Sequence, residues 1–528
     1  MPERPVMICR WRGALGAVVV SLGMLAGCTG PSDDPVRLRV VASSELADMR
    51  PLLADLRKDT GVQLDVDYRG TVDASDAIAE GNHDRFDLAW LSSDHYLELR
   101  LRGRKPSAPL PLSTTIMTSP VVVGVTPDIA GKLTAHGPDV TWAQIADLAA
   151  SGEFRFAMGD PRHSGSGLAA LVGVATAAAE TGRALRPEDV RCDRLSGFWT
   201  GHKGLSDNAA DAEREFVASP DGLNGLITYE SALLTLNANG KLKQPLRLIY
   251  PTDGIVLADY PMLLLNDRQR AAYDKVVAWL RGEETQRRIM NDTSRRPVNP
   301  AVGRTDRLTR SIGNALFYPD DINVIVKLQN NFRAPGNTDP TRRYVVFVLD
   351  YSGSMRGLRI EALRAAFAEL TGASGSSFVR FYQGERFTVL RFAGTVLEQR
   401  EFTVGSEQDL AALRDMLATE KFGDSTAIWS AVDAGYEAGA KVQAERPGTQ
   451  VAVVLMTDGL NNAGIGADEF LAGQRRRGPV GPLFPIRFGD ADATELSTVA
   501  GQTPGGRMID ATTGSSLANA FKETRGCF

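Results

Sequence analysis

Apolar residues recur along this chain in short unbroken runs, and several of these runs lead directly into segments with helical spacing. The clearest run is Val345–Leu349, which has the character of a strand that is covered on both faces. After it, apolar positions repeat at the 3.6-residue period of one helix face: Ile360, Leu363, Phe367 and Leu370. The pattern predicts a buried parallel strand followed by a helix, the repeating unit of an α/β sheet.

The same alternation continues through the last third of the chain. Further strand candidates are Thr388–Phe392, Val451–Met456 and Leu483–Phe488, with helical patterns between them. We therefore predict a doubly wound, Rossmann-like α/β domain over residues 342–524. No G-x-G-x-x-G follows a strand here and no G-x-x-x-x-G-K-[ST] occurs, which excludes the two common nucleotide-binding loops.

A second region of strands and helices lies closer to the N-terminus. Its strand candidates are Arg37–Ser43, Gln63–Tyr68, Asp87–Leu91, Ser119–Val125, Arg155–Met158 and part of Gly254–Leu265. Strand, helix and strand in this order again predict a parallel sheet with helices on its faces. Between the two regions, residues 301–341 are charged and rich in proline, which predicts a connection between domains. Within this connection, Ile322–Lys327 is predicted to form either a short strand or a short helix.

Length and charge narrow the class of protein. A chain of 528 residues is expected to form two or three domains, and its 43% hydrophobic and 23% charged residues are typical of globular proteins. The net charge of -5 argues against a nucleic-acid partner. The four cysteines, Cys9, Cys28, Cys192 and Cys527, lack the spacing of a zinc site, and the disulfide state of the last two is left open.

The first residues have the pattern of a secretory signal. Arg10 and Arg12 precede an apolar run over residues 14–25, which is shorter than the roughly 20 apolar residues needed to span a bilayer. Leu25-Ala-Gly-Cys28 resembles the lipobox of bacterial lipoproteins. The resemblance implies a signal peptide over residues 1–27, lipidation of Cys28, a polar tether over 28–35 and an extracytoplasmic, membrane-anchored protein. The alternative is an ordinary signal peptide with an incidental cysteine.

Short oxygen-bearing side chains follow the predicted strands of the C-terminal region. Asp350, Ser352 and Ser354 come directly after the first strand, Thr426 opens a helix, and Asp458 follows Val451–Met456. Because the carboxyl ends of parallel strands meet at one edge of a sheet, these residues are expected to converge. Carboxylates and hydroxyls suit a hard divalent cation. The alternative interpretation is a capped turn between a strand and a helix.

This set resembles the von Willebrand factor type A (VWA) domain and its metal-ion-dependent adhesion site (MIDAS). The motifs are Asp350-Tyr-Ser-Gly-Ser354, Thr426 and Thr457-Asp-Gly459, in the family's order. The resemblance implies Mg²⁺, or Mn²⁺ or Ca²⁺, bound through the hydroxyls of Ser352, Ser354 and Thr426, with Asp350 and Asp458 acting largely through water. It also implies a protein partner that presents an acidic side chain to the metal, because neutral hydroxyls leave the ion under-neutralised.

Residues 36–300 resemble the extracellular solute-binding proteins of bacterial ABC importers, in their two-lobed type 2 form. The resemblance rests on Val41-Ala-Ser-Ser44, Asp160-Pro-Arg-His-Ser-Gly-Ser-Gly167, Thr228-Tyr-Glu-Ser231 and Tyr250-Pro-Thr-Asp-Gly254. It implies one lobe over residues 36–118 plus 255–300, a second over 119–254, and closure on a small solute. The residues implied to face the cleft are Ser43, Ser44, Ser92, Ser164, Gly165 and Tyr229. Serines after strands also serve simply as helix caps.

Two functions follow from these interpretations. The first is a membrane-anchored binding protein whose bilobal domain takes a small solute or a partner and whose VWA domain makes metal-dependent protein contacts. The alternative is a structural or adhesion factor in which the solute-binding domain is vestigial. No nucleophile with a neighbouring base is apparent, since His163 and His202 belong to the other domain from Ser352 and Ser354, so we expect no catalysis. A role in transport would need a permease as a separate partner.

Overall fold

A computed structural model describes residues 35–526, except for 82–84, 105–106, 108, 191–194, 220–221, 313–314, 336–341 and 512–513. The predicted signal peptide, Cys28 and the other three cysteines lie outside the described residues. No helix among the described residues is long and apolar enough to cross a bilayer. The chain from Val36 onward forms one compact unit.

Two sheets make up the first part of this unit. The first sheet has the order β2-β1-β3-β11-β4; its strands are β1 (Val36–Ser43), β2 (Val62–Arg69), β3 (Leu88–Trp90), β4 (Leu112–Thr115) and β11 (Pro261–Leu264). The second sheet has the order β10-β5-β8-β6-β7, with β9 and β12 also paired to β5; its strands are β5 (Met117–Val125), β6 (Phe156–Gly159), β7 (His202–Ser206), β8 (Gly225–Tyr229), β9 (Arg247–Ile249), β10 (Leu257–Ala258) and β12 (Arg296–Pro297).

The chain passes between these sheets at β5 and returns between β10 and β11. We call the first sheet with its helices lobe 1 and the second sheet with its helices lobe 2. The helices of this part are α1 (Arg50–Thr60), α2 (Thr71–Ala79), α3 (His95–Arg104), α4 (Pro127–Leu133), α5 (Trp142–Ala150), α6 (Gly165–Ala179), α7 (Ser196–Thr200), α8 (Ala209–Ala218), α9 (Glu230–Ala238), α10 (Arg270–Leu280) and α11 (Glu283–Thr293). The strand predicted over Ser119–Val125 is thereby confirmed as the crossing strand.

The C-terminal domain, residues 343–526, is built on a third sheet of order β15-β14-β13-β16-β17-β18. Its strands are β13 (Arg343–Asp350), β14 (Arg386–Phe392), β15 (Val396–Thr403), β16 (Gln450–Thr457), β17 (Leu483–Arg487) and β18 (Ile509–Asp510). Its helices are α13 (Leu358–Leu370), α14 (Glu407–Leu417), α15 (Ile428–Glu445), α16 (Ala467–Arg477), α17 (Ala493–Gly501) and α18 (Gly514–Gly526). The four predicted strands and the predicted helix after the first of them are confirmed.

Both faces of this third sheet are covered, as the unbroken apolar run predicts. Val345, Phe347 and Leu349 belong to the core on one face, while Val346 and Val348 belong to the core on the other. The antiparallel edge strand β15 escaped prediction because most of its side chains are exposed and only Phe402 is buried. The fold is thus the mixed α/β class that the sequence predicts.

The predicted connection contains a well-packed helix, α12 (Ile322–Asn331), so Ile322–Lys327 is helical. Its apolar face, Val324, Ile325 and Leu328, is buried in the same core as residues of both lobes. This packing was not readable from the sequence, because the partners of the helix lie far away along the chain.

Candidate functional site

Two parallel strands of the C-terminal domain bring together the first pair of predicted site residues. β13 ends at Asp350 and β16 ends at Thr457, and the two strands are paired so that Leu349 lies opposite Met456. Thr457 Oγ1 donates a hydrogen bond to Asp350 Oδ2 at 2.6 Å. The backbone N–H of Ser352 donates to Asp350 Oδ1 at 2.8 Å. Asp350 is therefore fixed in position by hydrogen bonds to both carboxylate oxygens.

The hydroxyls of the loop after β13 link this carboxylate to the second one. Ser352 Oγ lies 3.0 Å from Ser354 Oγ, and Ser354 Oγ donates to Asp458 Oδ1 at 2.9 Å. Ser354 and Asp458 are 104 residues apart in the sequence. The predicted meeting of these two loops at one edge of the sheet is observed.

A third loop brings Thr426 to the same place. Gly423 forms an isolated parallel bridge with Ser352, and the side-chain oxygen of Asn462 accepts a hydrogen bond from the N–H of Thr426 at 2.7 Å. A Cβ built on Gly459 would lie 3.7 Å from Ser354 Oγ and 3.9 Å from Thr426 Oγ1. Both hydroxyls therefore border the space that this glycine leaves open.

The electrostatics of the cluster favour a cation. Asp350 and Asp458 are both buried, and a buried carboxylate is unfavourable unless a positive charge or hydrogen bonds compensate it. Burial, reinforced by the nearby charge of Asp458, raises the pKa of Asp350 to about 6 despite its hydrogen bonds. Two carboxylates with three hydroxyls are a donor set that fits a hard divalent ion.

Arg359 is a member of this site that the sequence reasoning missed. It is the second residue of α13, and its guanidinium pairs with Asp458 Oδ2 on one side and with Asp490 Oδ2, at 3.0 Å, on the other. The sequence did contain a signal for this role. A positively charged side chain in the first turn of a helix is unfavourable with respect to the helix dipole, so its presence there indicates a negatively charged partner elsewhere in the fold.

The predicted cleft residues of lobe 1 form a second cluster of hydroxyls. Ser43 Oγ lies 2.7 Å from Thr71 Oγ1, which lies 2.8 Å from Ser92 Oγ. The N–H of Ser92 donates to Ser43 Oγ at 2.8 Å. Thr71, which the sequence analysis did not single out, is therefore the centre of the cluster, and it links the hydroxyls of Ser43 and Ser92.

Lobe 2 presses directly onto this cluster. A Cβ on Gly165 would lie 2.4 Å from Ser92 Oγ. The N–H of Val72 in lobe 1 donates to the carbonyl of His163 in lobe 2 at 3.1 Å, and His163 Nδ1 lies 2.8 Å from Asp73 Oδ1. Between the lobes remains a cavity of about 20 Å³, lined in part by Thr71, Ser92, Gly165, Leu168, Tyr229 and Tyr318. That volume holds about one water molecule.

Ser44 and Ser164 lie outside the cluster of three hydroxyls. Ser44 is half-buried, with its hydroxyl 3.5 Å from Glu45 Oε2. Ser164 is the N-cap of α6, because its Oγ accepts a hydrogen bond from the N–H of Gly167 at 3.3 Å. Ser164 therefore has the alternative role, that of a helix cap.

Residues 315–334, which we call the clasp, contact both lobes across the cleft. The N–H of Leu316 donates to the carbonyl of Ile255 at 2.9 Å beside the crossing strands, and the ring of Tyr318 lies 5.1 Å from that of His95 in lobe 1. Gln329 Nε2 donates to the carbonyl of Pro161 in lobe 2 at 3.0 Å. Near the end of the clasp, the ring of Phe332 packs edge-on against the ring of Trp199 in lobe 2, with 5.1 Å between the ring centroids.

The described residues form α/β domains with candidate binding sites, and comparison with protein families identifies two of these domains. Residues 38–292 match the bacterial extracellular solute-binding protein family, and residues 345–523 match the von Willebrand factor type A domain. The chain therefore contains a domain of the solute-binding protein family followed by a VWA domain, a combination with the potential for protein interaction. No curated protein sequence matches it.

Several solved periplasmic binding proteins are similar to the first domain. A periplasmic thiamin binding protein is 12% identical, with 56% of this chain and 96% of that chain covered and a TM-score of 0.45. Iron-bound HitA from Pseudomonas aeruginosa is 16% identical, covering 56% and 99%, with a TM-score of 0.43. The sulfate-binding protein SubI from Mycobacterium tuberculosis H37Rv is 17% identical, covering 56% and 96%, with a TM-score of 0.38. Similarity at this level supports no inference about a ligand.

Proposed function

We propose that this protein makes divalent-metal-dependent contacts with an acidic group on a protein partner, through Asp350, Ser352, Ser354, Thr426 and Asp458. The observation that carries the proposal is the convergence of three distant loops on two buried carboxylates. Within the cluster, the hydrogen bond from Ser354 to Asp458 and the one from Thr457 to Asp350 hold both acids in place.

The residues of this site have three different roles. The hydroxyls of Ser352, Ser354 and Thr426 are neutral donors, and Asp350 and Asp458 supply the negative charge. If the hydroxyls are the direct ligands and the two carboxylates act largely through water, bound Mg²⁺, Mn²⁺ or Ca²⁺ would remain a positive centre that attracts a partner's carboxylate. Thr457 and Asn462 orient the donors, because they hydrogen-bond to Asp350 and to the backbone of Thr426.

The place of action that we propose is outside the cytoplasm, with lipid on Cys28 as the anchor. The support is the match to a family of extracellular proteins and the Leu25–Cys28 motif. Metabolic labelling with an alkyne analogue of palmitate should mark the wild-type protein and leave Cys28→Ser unlabelled. Equal labelling of both proteins would contradict the anchor.

A pull-down from solubilised membranes tests the metal-dependent contact. Wild-type protein, Asp350→Ala and the control Asp468→Ala, which removes an exposed acid of α16, are each used with Mg²⁺ and with EDTA. A partner of the metal site binds the wild type and the control in Mg²⁺ and is lost both with EDTA and with Asp350→Ala. Retention of the same proteins by Asp350→Ala would contradict the proposal.

The bilobal domain has two candidate functions. A small solute can enter only if the lobes separate, because the cavity of about 20 Å³ between them holds about one water molecule. In the second candidate function, the bilobal domain is a rigid mount, that is, a structural support for the VWA domain whose lobes stay closed and whose solute binding is vestigial. The direct contact of the lobes and the clasp that joins them favour this second function.

Hydrogen exchange at Val72 separates the two candidates. This amide lies in the first turn of α2, where no intrahelical acceptor exists, and its acceptor is the carbonyl of His163 in the other lobe. A rigid mount predicts that a peptide covering residues 70–75 of the full chain exchanges as slowly as the core strand β13. Exchange at the rate of an open loop would instead show that the lobes separate, which a solute-binding domain requires.

A further inference from the structure

The guanidinium of Arg359 already occupies one side of the carboxylate that the proposed metal site depends on. Both oxygens of Asp458 are engaged: Oδ1 accepts from Ser354 Oγ at 2.9 Å, and Oδ2 pairs with Arg359 Nη1. The side chain of Asp458 is fully buried, while that of Arg359 is 32% exposed. Asp458 therefore meets a cation of the chain itself.

The position of Arg359 is built into the fold. Gly489 has φ +68°, and a Cβ there would lie 3.0 Å from Cζ of Arg359, so this glycine leaves the space that the guanidinium fills. The backbone N–H of Asp490 donates to the carbonyl of Asp458 at 3.1 Å, which keeps the loop after β17 beside the site. Asp490, whose side chain is 90% exposed, holds the other arm of the guanidinium.

The two acids of the site are thus in different electrostatic situations. Asp350 is held by neutral donors, the hydroxyl of Thr457 and the N–H of Ser352. Asp458 is paired with a full positive charge. A divalent ion that enters the site meets the charge of two carboxylates reduced by one guanidinium, and it is repelled by that guanidinium at short range.

We propose that Arg359 sets the metal affinity of this site: it offsets the charge of Asp458, so that a divalent cation is held weakly until the carboxylate of a partner adds the missing negative charge. Metal and partner then bind cooperatively, since each supplies charge that the other needs. This inference rests on the proposed metal-dependent function and assigns Arg359 as a positioning residue that acts through Asp458.

Calorimetric titration of the full chain with Mn²⁺, after EDTA treatment and desalting, tests this role. Arg359→Gln removes the charge and keeps a hydrogen-bond donor, whereas Arg359→Lys keeps the charge and loses the planar fork. We expect Arg359→Gln to bind Mn²⁺ about tenfold more tightly than the wild type. Arg359→Lys should stay within about threefold of the wild type, because a lysine at this position still supplies the charge.

The outcomes distinguish failure of this inference from failure of the proposed function. If the wild type binds Mn²⁺ and Arg359→Gln binds it equally or more weakly, Arg359 does not oppose the metal and the inference is overturned. If neither protein binds Mn²⁺, the metal-dependent function fails and the inference fails with it. Should Arg359→Gln fold poorly in a thermal melt, Arg359→Met replaces it, with the same expected tightening.

Discussion

The molecule contains two clusters of hydroxyls at the carboxyl ends of parallel strands, and they behave in opposite ways. In the cleft, Ser43, Thr71 and Ser92 are linked by hydrogen bonds and the second lobe covers them. In the VWA domain, Ser352 and Ser354 are joined to two buried carboxylates.

The cleft also holds a carboxylate, that of Glu45 beside Ser92 and Tyr229, but the buried guanidinium of Arg295 faces it. Asp350 has neutral donors only, and a buried carboxylate without a paired cation, more than the number of serines, marks the site that is suited to a cation.

The largest effect on stability is expected from weakening the contact between the clasp and lobe 2, which tests whether the clasp holds the cleft closed. Phe332→Ala removes a buried ring that packs against Trp199 and should lower the free energy of unfolding by about 3–5 kcal/mol. It should also speed hydrogen exchange at Val72. Phe317→Ala is the control, since that ring belongs to the same segment and is 73% exposed. Equal denaturant midpoints for both variants would show that the clasp contributes nothing.

The cluster in the VWA domain is tested by neutralising one of its two buried acids. Asp350→Asn should stabilise the metal-free chain by about 3 kcal/mol at neutral pH, because the pKa of Asp350 is raised to about 6 by burial and its charged form is unfavourable in the folded state. A raised folded pKa means that the disadvantage of the aspartate is absent below about pH 4 and complete above about pH 6.

Denaturant unfolding in EDTA across this pH range measures that gain, with Asp468→Asn as the control. In Mg²⁺ the order should reverse, since the metal stabilises only the wild type. A gain that is independent of pH would show that burial of the charge is not its cause.

A smaller effect is expected from filling the contact between the lobes. Gly165→Ala places a Cβ 2.4 Å from Ser92 Oγ and 2.6 Å from Thr71 Oγ1, and should cost about 1–3 kcal/mol as the lobes are forced apart. Gly131→Ala is the matched control in α4, where a Cβ meets nothing within 4 Å. A neutral Gly165→Ala, by thermal melting, would indicate that the lobes readily move apart.

The sequence predicted those features that follow from a local pattern of residues or from the general geometry of a parallel sheet. The run Val345–Leu349 is buried on both faces, and Asp350, Ser352, Ser354, Thr426 and Asp458 meet because parallel strands share one edge. Arg359 was missed because its role depends on its ion pair with Asp458, 99 residues away in the sequence. Thr71 was missed because a threonine at the start of a helix usually serves as a cap. The clasp was missed for the same reason as Arg359: its packing surfaces come from distant parts of the chain. The cleft residues were only partly predictable, since Ser164 is an N-cap.

Titration of metal into the full chain tests the central claim most directly. We expect the EDTA-treated wild type to bind one Mg²⁺ per chain at saturating Mg²⁺, and Asp350→Ala and Asp458→Ala to bind none, with Asp468→Ala unchanged. Uptake by Asp350→Ala that equals the wild type, or no uptake by the wild type, would contradict a cation site at the edge of the VWA sheet.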